Sequence, residues 1–140
     1  MRVNRIARPV ILLLLLLLVC ISACANNGKN TSGSGAQKTY TQISQDAAKE
    51  MIAKDGSLII VDVRTRSEYE AGHIPGAILV PNETITDRKP ELLPDVDQTI
   101  LVYCRSGNRS KQAAQKLANM GYNKVYEFGG INTWKGRIVK

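Results

Sequence analysis

The chain is poor in the residues that much enzyme chemistry draws on. It has a single histidine, His73, and only three cysteines in 140 residues. Without a histidine or cysteine cluster there is no donor set for a metal, and Glu68 and Glu70 lack a second signal for one. Aromatic residues make up 5% of the chain, and no basic run is interleaved with them, so nucleic-acid binding has no support. Neither a phosphate-loop pattern nor a dinucleotide fingerprint occurs, and no internal repeat is found. The longest apolar run, Val10 to Ile21, falls short of the roughly 20 residues that cross a bilayer comfortably.

That run has another reading. Arg2, Arg5 and Arg8 precede it, and Leu12 through Leu18 form its unbroken centre, as in the positive and apolar regions of an export signal. Ile21-Ser22-Ala23-Cys24 resembles a bacterial lipobox, with small residues just ahead of the cysteine that receives the lipid. An ordinary signal cut near Ala25 and an uncleaved anchor are the alternatives. Val19 is not small, which makes Cys20 the poorer lipid acceptor. The expected organisation is a lipoprotein signal over residues 1–24, a flexible linker over 25–38 and one domain over 39–140. The linker is rich in Asn, Gly, Ser and Lys, and such a chain has an end-to-end distance of roughly 20 Å. The protein is then expected to be exported and held to the bacterial cell envelope by a lipid on Cys24. Setting aside the three leading arginines takes the formal net charge from +7 to +4, a modest excess that ordinary solvated lysines explain.

Cysteine usage isolates one residue. Cys20 leaves with the signal, Cys24 becomes a lipid thioether, and Cys104 is left unpaired. Exported proteins usually pair their cysteines as disulfides, so a lone one is a candidate free, reactive thiol.

Within residues 39–140 the pattern alternates between strands and helices. Tyr40 to Ile43 reads as a short strand. Ser44 caps a helix to about Lys54, with Ala47, Ala48, Met51 and Ile52 as its apolar face and Asp55-Gly56 as its stop. Leu58 to Val63 is almost continuously apolar, as expected of a parallel strand buried on both faces. Ser67 to Ala71 reads as a short helix and Ile78 to Val80 as a third strand. Asn82 to Asp95, broken by Pro90 and Pro94, reads as a loop with one short helix. Thr99 to Tyr103 is the expected central strand. Ser106 to Met120 is the clearest helix, with Ala113, Ala114, Leu117 and Ala118 on one face and Gly121 closing it. Lys124 to Phe128 reads as the last strand and Ile131 to Gly136 as a terminal helix. The alternation predicts an α/β fold with a mostly parallel central sheet flanked by helices. Ligands in such sheets bind beyond the carboxyl ends of the strands, where Cys104 falls.

Cys104 ends a strand and precedes a helix. Backbone N–H groups of a first helical turn and its dipole favour a negative sulfur there. Arg105 and Arg109 are expected to add positive charge, drawing the thiol below its free value of about 8.5. Ser106 and Gly107 are small enough for the backbone to curl around the sulfur; Gly107 can take positive φ, and Asn108 tolerates unusual angles.

The loop Cys104 to Arg109 resembles the active-site loop of the rhodanese, or thiosulfate sulfurtransferase, family. Two further stretches agree: Leu58 to Arg64 followed by Glu68 to Ala77, and Gly129-Gly130-Ile131-Asn132-Thr133-Trp134. The resemblance covers residues 39–140 and implies a rhodanese-like fold. It implies that Cys104 is the nucleophile, that Arg105, Ser106, Gly107, Asn108 and Arg109 cradle the substrate, and that no cofactor is needed. Implied substrates are thiosulfate or a polysulfide, with cyanide or a thiol accepting sulfur from a Cys104 persulfide. Arg105 is expected to meet the anionic donor and Arg109 to brace the loop. The loop is one residue shorter than the cysteine-to-arginine loop of tyrosine phosphatases, which disfavours phosphatase or arsenate reductase activity. A persulfide carrier with little turnover is the other alternative. Asp62 and Arg64 share the strand-end edge with Cys104 and are expected to form an ion pair that supports the turn, the loop or the anion site. His73 is expected to be structural, in a turn before Ile74-Pro75-Gly76. Trp134 is expected to pack the last helix. The domain is expected to be a monomer.

Overall fold

The computed structural model describes residues 38–140. The expected export signal, the Cys24 lipid site and nearly all of the linker lie outside the described residues.

Five parallel strands make one sheet: β1 (Thr41–Gln42), β2 (Ile59–Asp62), β3 (Ala77–Leu79), β4 (Thr99–Cys104) and β5 (Lys124–Gly130). They lie in the order β1-β5-β4-β2-β3, so β4 is central. Three helices join them: α1 (Gln45–Lys54), α2 (Arg66–Ala71) and α3 (Asn108–Asn119). The α/β fold with a parallel central sheet is thus as the pattern predicts. From β2 the chain moves outward to β3, whereas from β4 it moves the opposite way to β5. The crevice beyond the carboxyl ends of β2 and β4 is therefore a topological switch point, the usual ligand position in such sheets.

Both faces of the sheet are covered, which is why β2 and β4 are apolar in both alternating sets. One core gathers Val61, Val63, Ile100, Val102 and Cys104 with Ala113, Ala114 and Leu117 of α3. The other gathers Ile60, Leu101, Tyr103 and Phe128 with Ala48 of α1. Ser44 caps α1 by accepting from the Ala47 N–H at 3.1 Å. Thr65 and Glu68 form a reciprocal capping box that starts α2.

The structure trims several expected elements. β1 has only two residues, because an edge strand extends only as far as its pairing with Tyr126 and Glu127 of β5. α3 begins at Asn108 rather than Ser106, because residues 105–107 are spent turning the chain around the cysteine. The terminal helix shrinks to a 3₁₀ turn, Ile131–Thr133, and Asn82–Thr84 is a second such turn. Trp134 lies just past the terminal turn and packs on Phe128, ring centroids 5.6 Å apart.

Candidate functional site

The centre of the site is the turn between β4 and α3. Cys104 is 1% exposed, on the α3 face of the sheet. Its Sγ accepts the Gly107 N–H at 3.1 Å. Gly107 has φ 104°, a left-handed conformation that only glycine adopts without strain. That conformation turns the amide inward onto the sulfur. Asn108 differs from expectation: it is the first helical residue, is exposed and has an ordinary negative φ. Arg105 and Ser106 are also exposed, on the outer side of the turn.

The thiol is held below its ordinary range, by backbone amides as the sequence suggests, though with a hydroxyl rather than the arginines beside them. Burial opposes ionisation and is the largest influence. Hydrogen bonds from the Ser110 side chain and from the Ser110, Gly107 and Ser106 amides outweigh it. The arginines are not among those leading causes. Arg109 instead donates two hydrogen bonds to Glu68, at 2.7 and 2.8 Å. It tethers the first turn of α3 to α2. Glu68 is drawn down to about 2, first by that guanidinium, and then by the Thr65 N–H and hydroxyl against a burial cost.

The closing Gly-Gly stretch explains itself here. Gly130 pairs opposite Cys104 across a β-bulge. A Cβ on Gly130 would collide with the Arg105 carbonyl and come within 2.6 Å of Ser106 Cα. Asn132 N–H then donates to the Arg105 carbonyl at 3.2 Å. The last strand thus passes directly beneath the turn and pins it.

Asp62 and Arg64 are not part of this cradle. They form a buried bidentate ion pair, with Arg64 Nη2 2.6 Å from Asp62 Oδ2. Tyr103 Oη donates to the same Oδ2 at 2.6 Å. Tyr103 and its register partner Asp62 belong to the face opposite Cys104. The alternation of a strand turns neighbouring side chains to opposite sides, so sharing the sheet's edge does not mean sharing a pocket. Arg64 Nη2 also donates to the Gly72 carbonyl at 2.7 Å, which clamps the turn after α2. His73 sits in that turn, stacked on Tyr69 at 3.7 Å and bridged to Val139.

Two functional-looking residues were not evident from the sequence. Ser110 and Glu127 are both fully buried beneath the turn, with Ser110 Oγ 2.6 Å from Glu127 Oε1. Among the described residues no group of His, Cys, Asp and Glu is placed to hold a metal. Two open cavities lie away from the cysteine. One of about 460 Å³ runs along Leu79 to Leu92, and one of about 330 Å³ lies between α1 and the start of β4. Neither is lined by a cysteine or a histidine.

The chain that builds this turn is similar to known proteins over most of its described length. The family described as Rhodanese-like domain matches residues 44–137. The chain belongs to the rhodanese-like domain family. This rhodanese-like domain is 38% identical over 71 residues to the thiosulfate sulfurtransferase PspE of Escherichia coli (strain K12), covering 51% of the chain and 68% of PspE. It is 37% identical over 97 residues to a Bacillus subtilis (strain 168) protein named "Putative sulfur carrier protein YrkF". That match covers 69% of the chain but only 51% of YrkF, so the chain spans about half of that relative. A solved structure titled "rhodanese with anions from E. coli" is 35% identical, with a TM-score of 0.54 over 59% of this chain and 96% of that one.

Proposed function

We propose that the rhodanese-like domain is a sulfurtransferase working through Cys104. The observation that carries this reading is the sulfur itself: a thiol drawn down by Ser110 and three backbone amides at the carboxyl end of the central strand. The thiolate attacks the sulfane sulfur of thiosulfate or a polysulfide. The donor's S–S bond breaks as the Cys104–S bond forms, and sulfite or a shorter chain leaves with the bonding pair. The amides that hold a thiolate also suit the anionic outer sulfur of the persulfide. Cyanide, or a thiolate acceptor, then takes that outer sulfur and returns Cys104 as thiolate. Arg105, exposed at the turn, is placed to meet an anionic donor arriving from solvent. The carrier of the sulfur is the cysteine, so the cycle needs no cofactor.

The decisive experiment is mass spectrometry of the full-length protein after brief incubation with thiosulfate, beside Cys104→Ser. The expected result is a gain of one sulfur mass, absent from the variant and removed by cyanide as thiocyanate forms. No adduct with either thiosulfate or polysulfide would sink the reading. Persulfide carriage is the second reading, favoured by the similarity to YrkF. A carrier would take up one sulfur as readily but would show little multiple turnover. We place the protein at the cell envelope, exported and held by a lipid on Cys24. Cys24→Ser should move it from the membrane fraction to the soluble one.

A further inference from the structure

Glu127 is a buried acid that the transfer chemistry leaves unused. It is 0% exposed and sits on β5 in register with Val102, on the face of the sheet that α3 covers. A parallel strand covered on both faces ordinarily places an apolar side chain there, as Val125 is on the same strand. An acid in that place must offset its burial with hydrogen bonds. Its Oε2 makes none and is buried. What the carboxyl contributes therefore comes through Oε1.

Three parts of the chain meet at that oxygen. The Gly129 N–H, in the β5 bulge, donates to it at 2.8 Å. Ser110 Oγ, in the first turn of α3, donates to it at 2.6 Å and lies 2.9 Å from the Gly107 carbonyl. Gly107 is seated at the same point: a Cβ on it would lie 3.9 Å from Oε1 and 3.6 Å from Gly129 Cα. Gly107 in turn supplies the amide that donates to Cys104 Sγ at 3.1 Å. One oxygen thus ties the strand beneath the turn to the helix that follows it, against the residue that holds the sulfur.

We propose that Glu127 is a positioning residue: through Oε1 it fixes the β5 bulge against the first turn of α3, and so keeps the Gly107 amide on the Cys104 sulfur. The proposal rests on Cys104 being the nucleophile. It requires of Glu127 an acceptor oxygen at one point, and no particular charge. The charged groups of the neighbouring elements are placed elsewhere. Arg109 is paired with Glu68 of α2, with Glu83 also near it. Arg105 is exposed, and Asp62 and Arg64 lie across the sheet.

The test is the pH dependence of iodoacetamide alkylation at Cys104 in the full-length protein, followed on the Cys104 peptide so that Cys20 and Cys24 do not contribute. Glu127→Leu fills similar space without the oxygen. Its half-maximal pH should rise by about one unit, because the thiolate loses a well-placed amide. Glu127→Gln retains the shape and an acceptor oxygen, and should return the half-maximal pH to the wild-type value. A role confined to stability would lower the melting temperature of Glu127→Leu and leave the titration of its folded molecules unmoved. A folded Glu127→Leu protein with an unmoved half-maximal pH overturns the proposal. So does a Glu127→Gln protein shifted as far as Glu127→Leu. Should Glu127→Leu fail to fold, Glu127→Met, unbranched and adaptable to the same space, takes its place, and an unmoved titration there overturns the proposal equally. Alkylation uses no sulfur donor, so this readout stands even where thiosulfate gives no adduct.

Discussion

At the scale of single residues, the turn depends on two places where a side chain is forbidden for different reasons. Gly107 needs its left-handed backbone to aim an amide at the sulfur. Gly107→Ala retains that conformation only at a cost of about 1–2 kcal/mol. Gly130 has an ordinary extended backbone, and its constraint is space: any Cβ meets the backbone of Arg105 and Ser106. Backbone has no rotamer with which to move aside, so Gly130→Ala must lift the turn. Overpacking of this kind costs about 1–3 kcal/mol. The two variants separate by readout. Gly130→Ala is expected to lower the rate of persulfide formation at least tenfold, since a small misplacement of the cradle is enough for that. Gly107→Ala is expected to lose its amide-to-sulfur bond first, raising the half-maximal pH of Cys104 alkylation. Timed mass spectrometry of the thiosulfate adduct checks the first, the pH dependence of alkylation the second, and thermal melts the stability of both. A Gly130→Ala protein with wild-type rate and melting temperature would show that the turn is not pinned from below.

At the scale of elements, the link between α2 and α3 makes a pH-dependent strut. Glu68 caps α2 through Thr65 and takes both hydrogen bonds of Arg109 from α3. Its folded value of about 2 lies below the ordinary carboxylate value of about 4.3. A depressed carboxyl contributes stability that is fully present above its unfolded value and is lost as pH falls toward its folded one. The pair's contribution is therefore expected whole at neutral pH and lost between about pH 4.5 and 2. Glu68→Gln should melt lower than wild type at pH 7, and the gap should close by pH 2. Arg109→Lys should not restore the strut, since an ammonium cannot reproduce the two-pronged contact. A gap that stays constant across this range would remove the ion pair from the account. The strut is only half legible in the sequence. Arg109 was expected to brace the turn, but Glu68 lies far from it in sequence and the chain offers several acids of equal standing. Local pattern names the kind of partner, whereas the fold selects which one.

At the scale of the whole molecule, the sheet divides labour between its faces, and this division limits what sequence alone conveys. Apolar runs such as Leu58 to Val63 and Thr99 to Tyr103 announce buried strands, and the order of elements then places Cys104 at a strand end. Glu127 escapes notice because Val125-Tyr126-Glu127-Phe128 reads as a strand with a wet face. In a parallel sheet covered on both sides that face is buried as well. Ser110 escapes because it is polar, although its helical spacing from Ala113, Ala114 and Leu117 puts it on the buried face of α3. Asp62 and Arg64 mislead in the opposite sense, since nearness to Cys104 along the strand ends hides their position across the sheet. Their network joins β2, β4 and the turn at Gly72 through Tyr103, with Asp62 fully buried and Arg64 nearly so. Removing the acid leaves a buried guanidinium without its counter-charge, a change that costs about 3–5 kcal/mol. Asp62→Ala is thus expected to lower the melting temperature sharply. Folded Asp62→Ala molecules should nonetheless keep the wild-type half-maximal pH for Cys104 alkylation, because the cradle's amides, Ser110 and Glu127 all lie on the other face. Titrating the thiol well below the variant's melting point separates the two effects. A shifted thiol in a fully folded Asp62→Ala protein would mean that the two faces are coupled through β4, and that the clamp belongs to the chemistry after all.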